Sequence, residues 1–369
     1  MRAALRKLHL VLGLTVGAVF ALAGLTGSAL VFYLELDALL NPALVNRMPA
    51  APRRPLEDFY AALRQAHPAR EDGWRLEIPA SPARLITARY YTPVESRQRL
   101  FAPLVVALDP ATAELVSVRL WGRYAVTWLY DLHYSLLLDR SGRALLGALG
   151  VLMFAGLVTG LCLWWPRGPW RAALRLRPRR GAARRVFDLH RATGFYGLVL
   201  LVLLVVTGVC LALPDQLRPL LQRMSALQQA PVLRSAPTGG ARLSLDAAVA
   251  IAQRRFPAAT LAWLETPHGP HGVFRVNLRQ AFEPSRRFPR TNVWIEQYSG
   301  DVLAVRNPRD DGAADVFLNW LHPLHNGEAL GLPGRLLVCA AGVLPTLLFV
   351  TGLLRWRQKA RAAAHRRPA

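Results

Sequence analysis

Cysteine is scarce in this chain, which has three among its 369 residues. Cys162, Cys210 and Cys339 stand far apart in sequence, each inside a long apolar run. This placement excludes a disulfide framework and a thiolate metal site, and the missing Cys-x-x-Cys-His motif argues against covalently attached haem. A dinucleotide fingerprint, a flavin motif and a phosphate-binding loop are missing as well. The chain therefore shows no motif for a nucleotide cofactor of its own.

Acidic residues are also few, since 23 Asp and Glu stand against 46 Lys and Arg and give a formal net charge of +23. Such a charge first suggests nucleic acid. However, the basic residues collect in the first nine residues, in the linker 166–189 and in the tail from Arg355, each beside an apolar run. Positive charge of this kind flanks membrane segments on the cytoplasmic side. We therefore expect a lipid bilayer as the partner, and no nucleic acid.

Four apolar runs approach the roughly 20 residues that a membrane-spanning helix needs: residues 10–34, 145–165, 195–213 and 336–354. The first run is too long for the core of a signal peptide, so it is interpreted as an anchor. With the basic segments inside, both termini are cytoplasmic and the two long intervening stretches lie outside. The prediction is a multi-pass protein of a bacterial inner membrane with two periplasmic regions.

An internal repeat covers most of the chain, and histidines lead it. One kind of segment carries His, Gly and Thr-Gly at the same offsets in both halves: His9, Gly13, Thr26 and Gly27, then His190, Gly194, Thr207 and Gly208. The other kind carries His, Gly-Arg, Thr-Gly and Trp: His133, Gly142, Arg143, Thr159, Gly160 and Trp164, then His325, Gly334, Arg335, Thr351, Gly352 and Trp356.

The outer stretches repeat as well, because an amphipathic helix at 56–68 matches 245–257 and a strand–turn–strand segment at 106–118 matches 293–305. The predicted fold is an α-helical membrane protein with four transmembrane helices and two small α+β outer domains, made by internal duplication. The predicted segments are helix 1 (1–34), outer domain 1 (35–131), a His segment and helix 2 (132–165), the linker (166–189), helix 3 (190–213), outer domain 2 (214–321), a His segment and helix 4 (322–356), and the tail (357–369).

The repeat sorts the nine histidines. His67 aligns with Phe256 and His322 with Tyr130, His365 lies in the tail, and His268 and His271 lie in a loop with no counterpart. The four that remain are His9, His133, His190 and His325. A structural interpretation makes them interfacial residues, with the glycines serving helix packing. Their registered recurrence favours function, because ionisable groups in membrane segments are costly, and imidazole is a common axial ligand of haem iron.

Topology predicts how these histidines pair. His9 and His190 begin helices that start inside, whereas His133 and His325 precede helices that start outside. Two bis-histidine sites follow, one per leaflet, each with one ligand from each half, and the expected cofactor is two haems b. The chain must break at 139–142 and 331–334, because a continuous helix would exceed the bilayer thickness.

Basic residues near the predicted sites are candidates for binding the propionate groups of haem. Arg143 and Arg335 are assigned to this role on the outer side, because the preference of basic residues for the cytoplasmic side does not explain their position. For Arg6, Lys7 and Arg191 on the inner side, membrane anchoring explains the charge equally well. Two haems across a membrane form an electron path, and its donor must be a separate cytoplasmic protein or a quinol.

The Leu-His-x-x-x-Gly helix, the Asp-Leu-His segment and the Leu-His-x-Gly-Glu of residues 324–328 resemble the PepSY-associated transmembrane family. The resemblance implies PepSY-like outer domains, b-type haems and, as in siderophore reductases of the ferrioxamine-reductase type, a ferric siderophore as acceptor. On this resemblance the chain is a haem-dependent ferric-siderophore reductase whose ligands are His9, His133, His190 and His325. No residues that would bind a siderophore carry over.

Two alternatives belong to other classes. PepSY domains also occur as inhibitory modules, so the chain is alternatively a membrane-anchored binding or regulatory protein without redox activity. A haem or metal transport component, with the histidines as transit ligands, is the other. The duplicated histidine register separates them from electron transfer, because regulation needs no histidine at both leaflets and transport would add polar residues in mid-bilayer.

Overall fold

The computed structural model describes residues 1–70, 73–166, 181–237 and 240–364. Most of the predicted basic linker and the end of the tail, including His365, lie outside these ranges. The chain forms two compact units. A helical unit comprises Met1–Tyr33, Leu129–Leu217 and Leu321–Ala369, and a sheet unit comprises Leu34–Trp128 and Arg218–Trp320.

The described helices are, in chain order, α1 (Arg2–Leu30), α2 (Tyr33–Leu40), α3 (Leu56–Ala66), α4 (Ala125–Ser135), α5 (Asp139–Trp164), α6 (Ala182–Tyr196), α7 (Leu198–Ala212), α8 (Pro214–Gln222), α9 (Leu245–Arg255), α10 (Ala313–His325), α11 (Gly331–Ala341) and α12 (Leu344–Ala364). The strands are β1 (Trp74–Glu77), β2 (Ile86–Tyr90), β3 (Leu104–Leu108), β4 (Leu115–Leu120), β5 (Thr260–Glu265), β6 (Val273–Arg279), β7 (Thr291–Glu296) and β8 (Val302–Arg306).

The helical unit contains the segments that can cross a membrane. Among the described residues, α1, α5 and the stretch Glu328–Ala364 are long and apolar enough, and α6 with α7 makes a fourth if that pair is one span. The third predicted run is therefore not a straight helix, because α6 and α7 meet at an angle of 61°. Gly197 lies at this bend, where a Cβ atom would be 2.6 Å from Leu344 Cδ1. Bends of this size commonly occur at glycine.

Breaks before the second and fourth spans are present, but both lie a few residues earlier than the predicted 139–142 and 331–334. Helix α4 ends at Ser135, and Leu136, Leu137 and Asp139 have positive φ angles of 52°, 61° and 58° before α5 continues. A Cβ atom on Gly142 would be 1.7 Å from the Ser135 carbonyl oxygen. The glycine is thus needed for a close backbone contact one turn into α5, and the reversal precedes it.

The second half makes the corresponding break between α10 and α11. Gly327 and Gly331 have φ angles of 79° and 63°. A Cβ atom on Gly334 would be 2.2 Å from the Gly327 carbonyl oxygen, which repeats the contact made by Gly142. The glycines of the two Gly-Arg pairs therefore allow the chain to fold back closely after each leading histidine.

The sheet unit contains one antiparallel sheet with the strand order β4-β3-β2-β1-β5-β6-β7-β8. Each half of the chain contributes four consecutive strands, and β1 pairs with β5 in the register Leu76 with Leu264. The two outer domains expected from the sequence are therefore joined in one continuous sheet. Pairing the first strand of each half satisfies two edges that separate four-stranded sheets would leave open.

Helices α3 and α9 cover one face of the sheet and bury its core. Leu56, Phe59 and Leu245 pack there against inward residues of the strands such as Phe274 and Ile295. The two helices also cap each other. Asp246 accepts hydrogen bonds from the amides of Leu56 and Glu57 at 2.9 and 3.0 Å, and Glu57 accepts one from the Leu245 amide at 2.9 Å. Carboxylates at helix N-termini each contribute about 0.5–2 kcal/mol.

Candidate functional site

Four histidine rings of the helical unit meet in two pairs. The ring centres of His9 and His190 are 6.3 Å apart, with an interplanar angle of 80°. Those of His133 and His325 are also 6.3 Å apart, at 43°. Each pair takes one ring from each half of the chain, which is the pairing that topology predicts.

Each ring is held by a threonine from another helix of its own half. The Nδ1 atoms lie 2.9 to 3.1 Å from a threonine Oγ1 atom. The partners are Thr159 of α5 for His9, Thr26 of α1 for His133, Thr351 of α12 for His190, and Thr207 of α7 for His325. These threonines are buried, with 4 to 7% of their surface exposed.

The direction of these hydrogen bonds fixes the protonation of the rings. Each threonine hydroxyl donates to a carbonyl of its own helix at 2.5 to 2.9 Å, as Thr207 does to Leu203 and Thr351 to Leu347. Its oxygen must then accept from the histidine, so Nδ1 carries the proton. The Nε2 atom of each ring consequently keeps a free lone pair, which is the form of histidine that binds a metal.

A glycine follows each of these threonines and leaves room for the ring. A Cβ atom on Gly27 would be 2.8 Å from His133 Cε1, and one on Gly160 would be 3.0 Å from His9 Cε1. The corresponding distances are 3.2 Å from Gly208 to His325 and 3.6 Å from Gly352 to His190. The four Thr-Gly pairs are therefore seats for imidazole rings, in which threonine orients the ring and glycine admits it.

Helix α1 sets the spacing between the two pairs. It carries His9 of one pair near its start and, near its end, the Thr26-Gly27 seat for His133 of the other pair. At 1.5 Å per residue these positions are about 25 Å apart along the helix. This separation is close to the thickness of a bilayer core, about 30 Å, so the pairs lie towards opposite ends of the spans.

The donor set fits the axial positions of haem. The ring centres of each pair are 6.3 Å apart, a spacing at which the two imidazoles would hold one metal ion between them, because metal–imidazole bonds are about 2.0 Å long. Within the described ranges no three His, Cys, Asp or Glu side chains are grouped to hold an ion. Two imidazoles suffice when a porphyrin supplies the equatorial ligands.

The two arginines assigned to propionates contact other groups. Arg143 Nη2 lies 3.7 Å from Asp215 Oδ2, and Asp215 is 74% exposed. Arg335 donates to the Val31 carbonyl at 2.8 Å and lies over the Phe32 ring at 4.3 Å. Their assignment to propionates stays a prediction. A propionate bound to Arg143 would take the place of Asp215, whose contact with this arginine is weak because the acid is exposed.

On the other side of the unit, the basic residues also have protein partners. Arg191 is 3.5 Å from Asp188, a buried carboxylate that Arg184 also approaches at 3.2 Å. Arg6 donates to the Arg2 carbonyl at 3.4 Å. Both propionate binding and membrane anchoring therefore stay predictions for these inner residues.

The remaining described histidines have structural surroundings. His67 packs on Trp74, with ring centres 5.6 Å apart, and His271 contacts the Ser235 carbonyl through Nδ1 at 3.3 Å. The His268 ring occupies the space beside Gly73, where a Cβ atom would be 2.0 Å from its Cε1 atom. His322 lies one turn before His325 in α10, but the ring that pairs with His133 is that of His325.

The four threonines are the site residues that sequence reasoning did not assign. Their signal was present, because each Thr-Gly pair recurs at a fixed offset from a histidine. The offset does not identify the threonines as partners of the histidines, since a position along one helix does not reveal which other helix supplies the ring.

These features define a multi-span membrane protein with an attached antiparallel sheet and paired histidines between its two halves. The family model of the PepSY-associated TM region matches residues 6–359, and the chain belongs to this family. An uncharacterized protein of Pseudomonas aeruginosa is 29% identical over 261 residues, which are 65% of each chain. The match thus spans slightly less than two thirds of that relative.

Proposed function

We propose that this chain is a di-haem b electron-transfer protein that passes electrons across a bacterial inner membrane to an acceptor outside. One observation carries the proposal: each half of the chain presents two histidines whose Nδ1 proton is bound by a buried threonine. Each histidine has a partner from the other half at 6.3 Å. This arrangement gives two bis-imidazole sites, with His9 and His190 in one and His133 and His325 in the other.

The roles of the protein residues follow from their contacts. When bound, haem b supplies one-electron chemistry at iron. The threonines orient the imidazoles and keep Nε2 unprotonated, and a hydrogen bond to the remote nitrogen raises the basicity of the ligand. The apolar helices exclude water, which together with axial ligation sets the reduction potential. Because the threonines hold the imidazoles in fixed positions, the site would rearrange little when the iron gains or loses an electron.

The membrane orientation is part of the proposal. Basic residues at the start of α1 and the end of α12 favour a cytoplasmic location for both termini, for the His9–His190 pair and for the electron donor. The sheet unit and the His133–His325 pair then lie on the periplasmic side. A quinol or a separate cytoplasmic protein would supply the electrons.

The acceptor that the family resemblance suggests is ferric iron in a siderophore. Hard oxygen ligands hold ferric iron more strongly than ferrous iron, so one-electron reduction would release the metal. A membrane-anchored regulatory module is the weaker account, because regulation gives no reason for four seated imidazoles at two levels of the helices. Haem or metal transport is weaker too, since the rings are fixed in pairs at each level.

The test is a visible spectrum of the detergent-purified chain, oxidised and dithionite-reduced, with a pyridine haemochrome assay. A sharp reduced α band and about two b-type haems per chain are expected from two bis-histidine sites. Stopped-flow mixing of the reduced protein with a ferric siderophore should then reoxidise the haem. A colourless protein that takes up no added haem would rule out the proposal.

Replacing Thr207 with valine should alter the His325 site without removing its ligand. The change keeps the volume of the side chain but deletes the oxygen that accepts the Nδ1 hydrogen bond at 2.9 Å. Loss of such a partner typically weakens metal binding by about 10- to 100-fold. The measurement is haem retention during dilution, together with a redox titration in which one of the two midpoints moves.

Thr207→Ser is the matched control, because serine keeps the hydroxyl group and should restore both retention and midpoint. If Thr207→Val leaves both quantities at the wild-type values, the threonine seat has only a packing role.

A further inference from the structure

The outward face of the sheet carries a ladder of arginine and tryptophan side chains. Cross-strand register aligns Arg275 of β6 with Trp294 of β7, and Trp294 with Ala304 of β8. Alternate residues of the same strands, such as Leu264 and Val276, point into the core under α3 and α9. Because side chains alternate across a strand, the polar ladder lies on the face opposite that core.

Cation–π contacts connect the ladder. The Arg75 guanidinium lies 3.9 Å from the centre of the Trp263 ring, on whose ring Arg275 also packs at 4.8 Å. Arg275 lies 5.4 Å from the Trp294 ring as well. The arginines thus cover the tryptophan rings, of which 5% and 7% remain exposed, and these contacts hold the guanidinium groups in place.

A cleft of about 350 Å³ opens on this ladder. Four arginines line it, and no acidic residue of the described chain is among its lining residues: Arg75, Arg275, Arg290 and Arg306 stand with Trp263 and Trp294. The volume falls in the range of small-molecule sites, about 300–1,000 Å³.

The positive charge of the cleft is incompletely compensated. Arg306 pairs with Asp311 and Asp315 at 3.2 and 3.0 Å, and Arg275 approaches Glu265 at 3.5 Å. Within the described residues, the Arg290 guanidinium has no hydrogen bond or ion pair. The Nε–H groups of Arg75 and Arg306 are buried without a hydrogen-bond acceptor among the described residues, although Arg75 Nε lies 3.6 Å from a Glu77 carboxylate oxygen. An anionic ligand would stabilise arginines that are partly removed from water and only partly compensated by acids.

The electrostatics of Arg290 agree with this geometry. Burial is the largest cause that lowers the pKa of Arg290, and the nearby charges of Arg306, Arg218 and Arg275 lower it further. Asp311 raises the pKa, but its carboxylate already pairs with Arg306.

We propose that this cleft binds an anionic small molecule, with Arg290 as the central anion contact. Resting on the proposed reductase function, we infer that the ligand is a ferric chelate of the catecholate class. A ferric tris-catecholate is a trianion with three aryl rings, whereas a ferric tris-hydroxamate is neutral. Guanidinium groups bind anionic oxygens with charge-assisted hydrogen bonds.

The test is calorimetric titration of the full-length chain in detergent with two ferric chelates, a hexadentate tris-catecholamide and a hexadentate tris-hydroxamate. The catecholate should bind, with an affinity that falls as salt is raised, and the hydroxamate should not. Arg290→Gln should weaken catecholate binding by about tenfold or more. This variant keeps the backbone bonds of Arg290 to Glu283 and Asn292, which support the local loop.

A second variant and a control make the test specific. Ala304→Glu places an acid on the cleft without removing an arginine and should also weaken catecholate binding by about tenfold. Arg54→Gln removes the same charge as Arg290→Gln at an exposed site that pairs with Asp58, and it should bind as the wild type does.

The proposal is overturned if the wild type does not bind the catecholate, if it binds the hydroxamate equally well, or if both cleft variants keep full affinity. Haem content is measured on the same samples. Retained haem with no catecholate binding overturns the cleft assignment alone, whereas catecholate binding by a chain without haem overturns the electron-transfer function alone.

Discussion

The His325→Ala variant should retain about one haem per chain instead of about two, because it removes one axial ligand of a bis-histidine site. The ring centre of His325 lies 6.3 Å from that of His133, and His325 takes no part in the ring contact between His9 and His190. The remaining haem should keep its reduced α band and a single redox midpoint. Electron delivery to an external acceptor should fall to background, since the path loses its outer member. Haemochrome assay and potentiometric titration measure these effects.

Double variants test the pairing itself. His133→Ala combined with His325→Ala should retain as much haem as either single change, because both residues serve one site. His190→Ala combined with His325→Ala should remove both haems. His322→Ala is the matched control on α10, one turn away, and should leave both haems in place. Complete loss of a haem from His322→Ala, or additive loss from the first double variant, would contradict the pairing.

Adding a single methyl group to Gly27 should displace the imidazole of His133 and sharply weaken haem binding at that site. The new Cβ atom would lie 2.8 Å from His133 Cε1, closer than two carbon atoms normally approach. Overpacking of this kind costs about 1–3 kcal/mol, which corresponds to roughly a 5- to 150-fold loss of affinity. The measurement is the haem retained per chain after dilution in detergent.

Alanine substitutions at the other three seats should show how haem retention depends on the distance between the new Cβ atom and the ring. Alanine at Gly160 and Gly208 would approach the rings at 3.0 and 3.2 Å and should have smaller effects, whereas at Gly352 the contact is an ordinary 3.6 Å. Gly13→Ala is the matched control on α1, since a Cβ atom there meets nothing within 4 Å. Equal haem retention in Gly27→Ala and Gly13→Ala would show that the glycine does not define the seat.

The matching offsets in the two halves predict the histidine pairs, because segments with the same direction place one histidine from each half at the same end of the helices. They do not make the seats predictable. The seat of His325 is Thr207, on a helix that the chain reaches 118 positions earlier, and such a contact depends on how the helices pack. Helix order and direction follow from hydrophobicity and charge, but rotation about each helix axis does not.

Other parts of the fold also depend on tertiary contacts. The bend at Gly197 interrupts a run that is uniformly apolar in sequence, and Leu344 of another helix approaches it so closely that a Cβ atom there would lie 2.6 Å from Leu344 Cδ1. The joining of β1 to β5 is an edge pairing, and edge strands carry no residue pattern that specifies a partner. The Arg–Trp cleft arises from that same continuous sheet, since its lining comes from β1 and from strands of the second half.

Each long helix of the helical unit carries a paired histidine, a Thr-Gly seat for a histidine of another helix, or both. The seat for His133 lies on the helix that bears His9, and the seat for His325 lies on the segment that bears His190. Each pair, however, takes one ring from each half, so on the proposed function neither haem site is complete until the two halves of the chain have assembled. Binding at one site stabilises the assembled state by mass action, and so prepares the other. If the two pairs hold haem as proposed, cofactor loading and assembly of the halves are a single cooperative process, and one half alone would complete neither haem site.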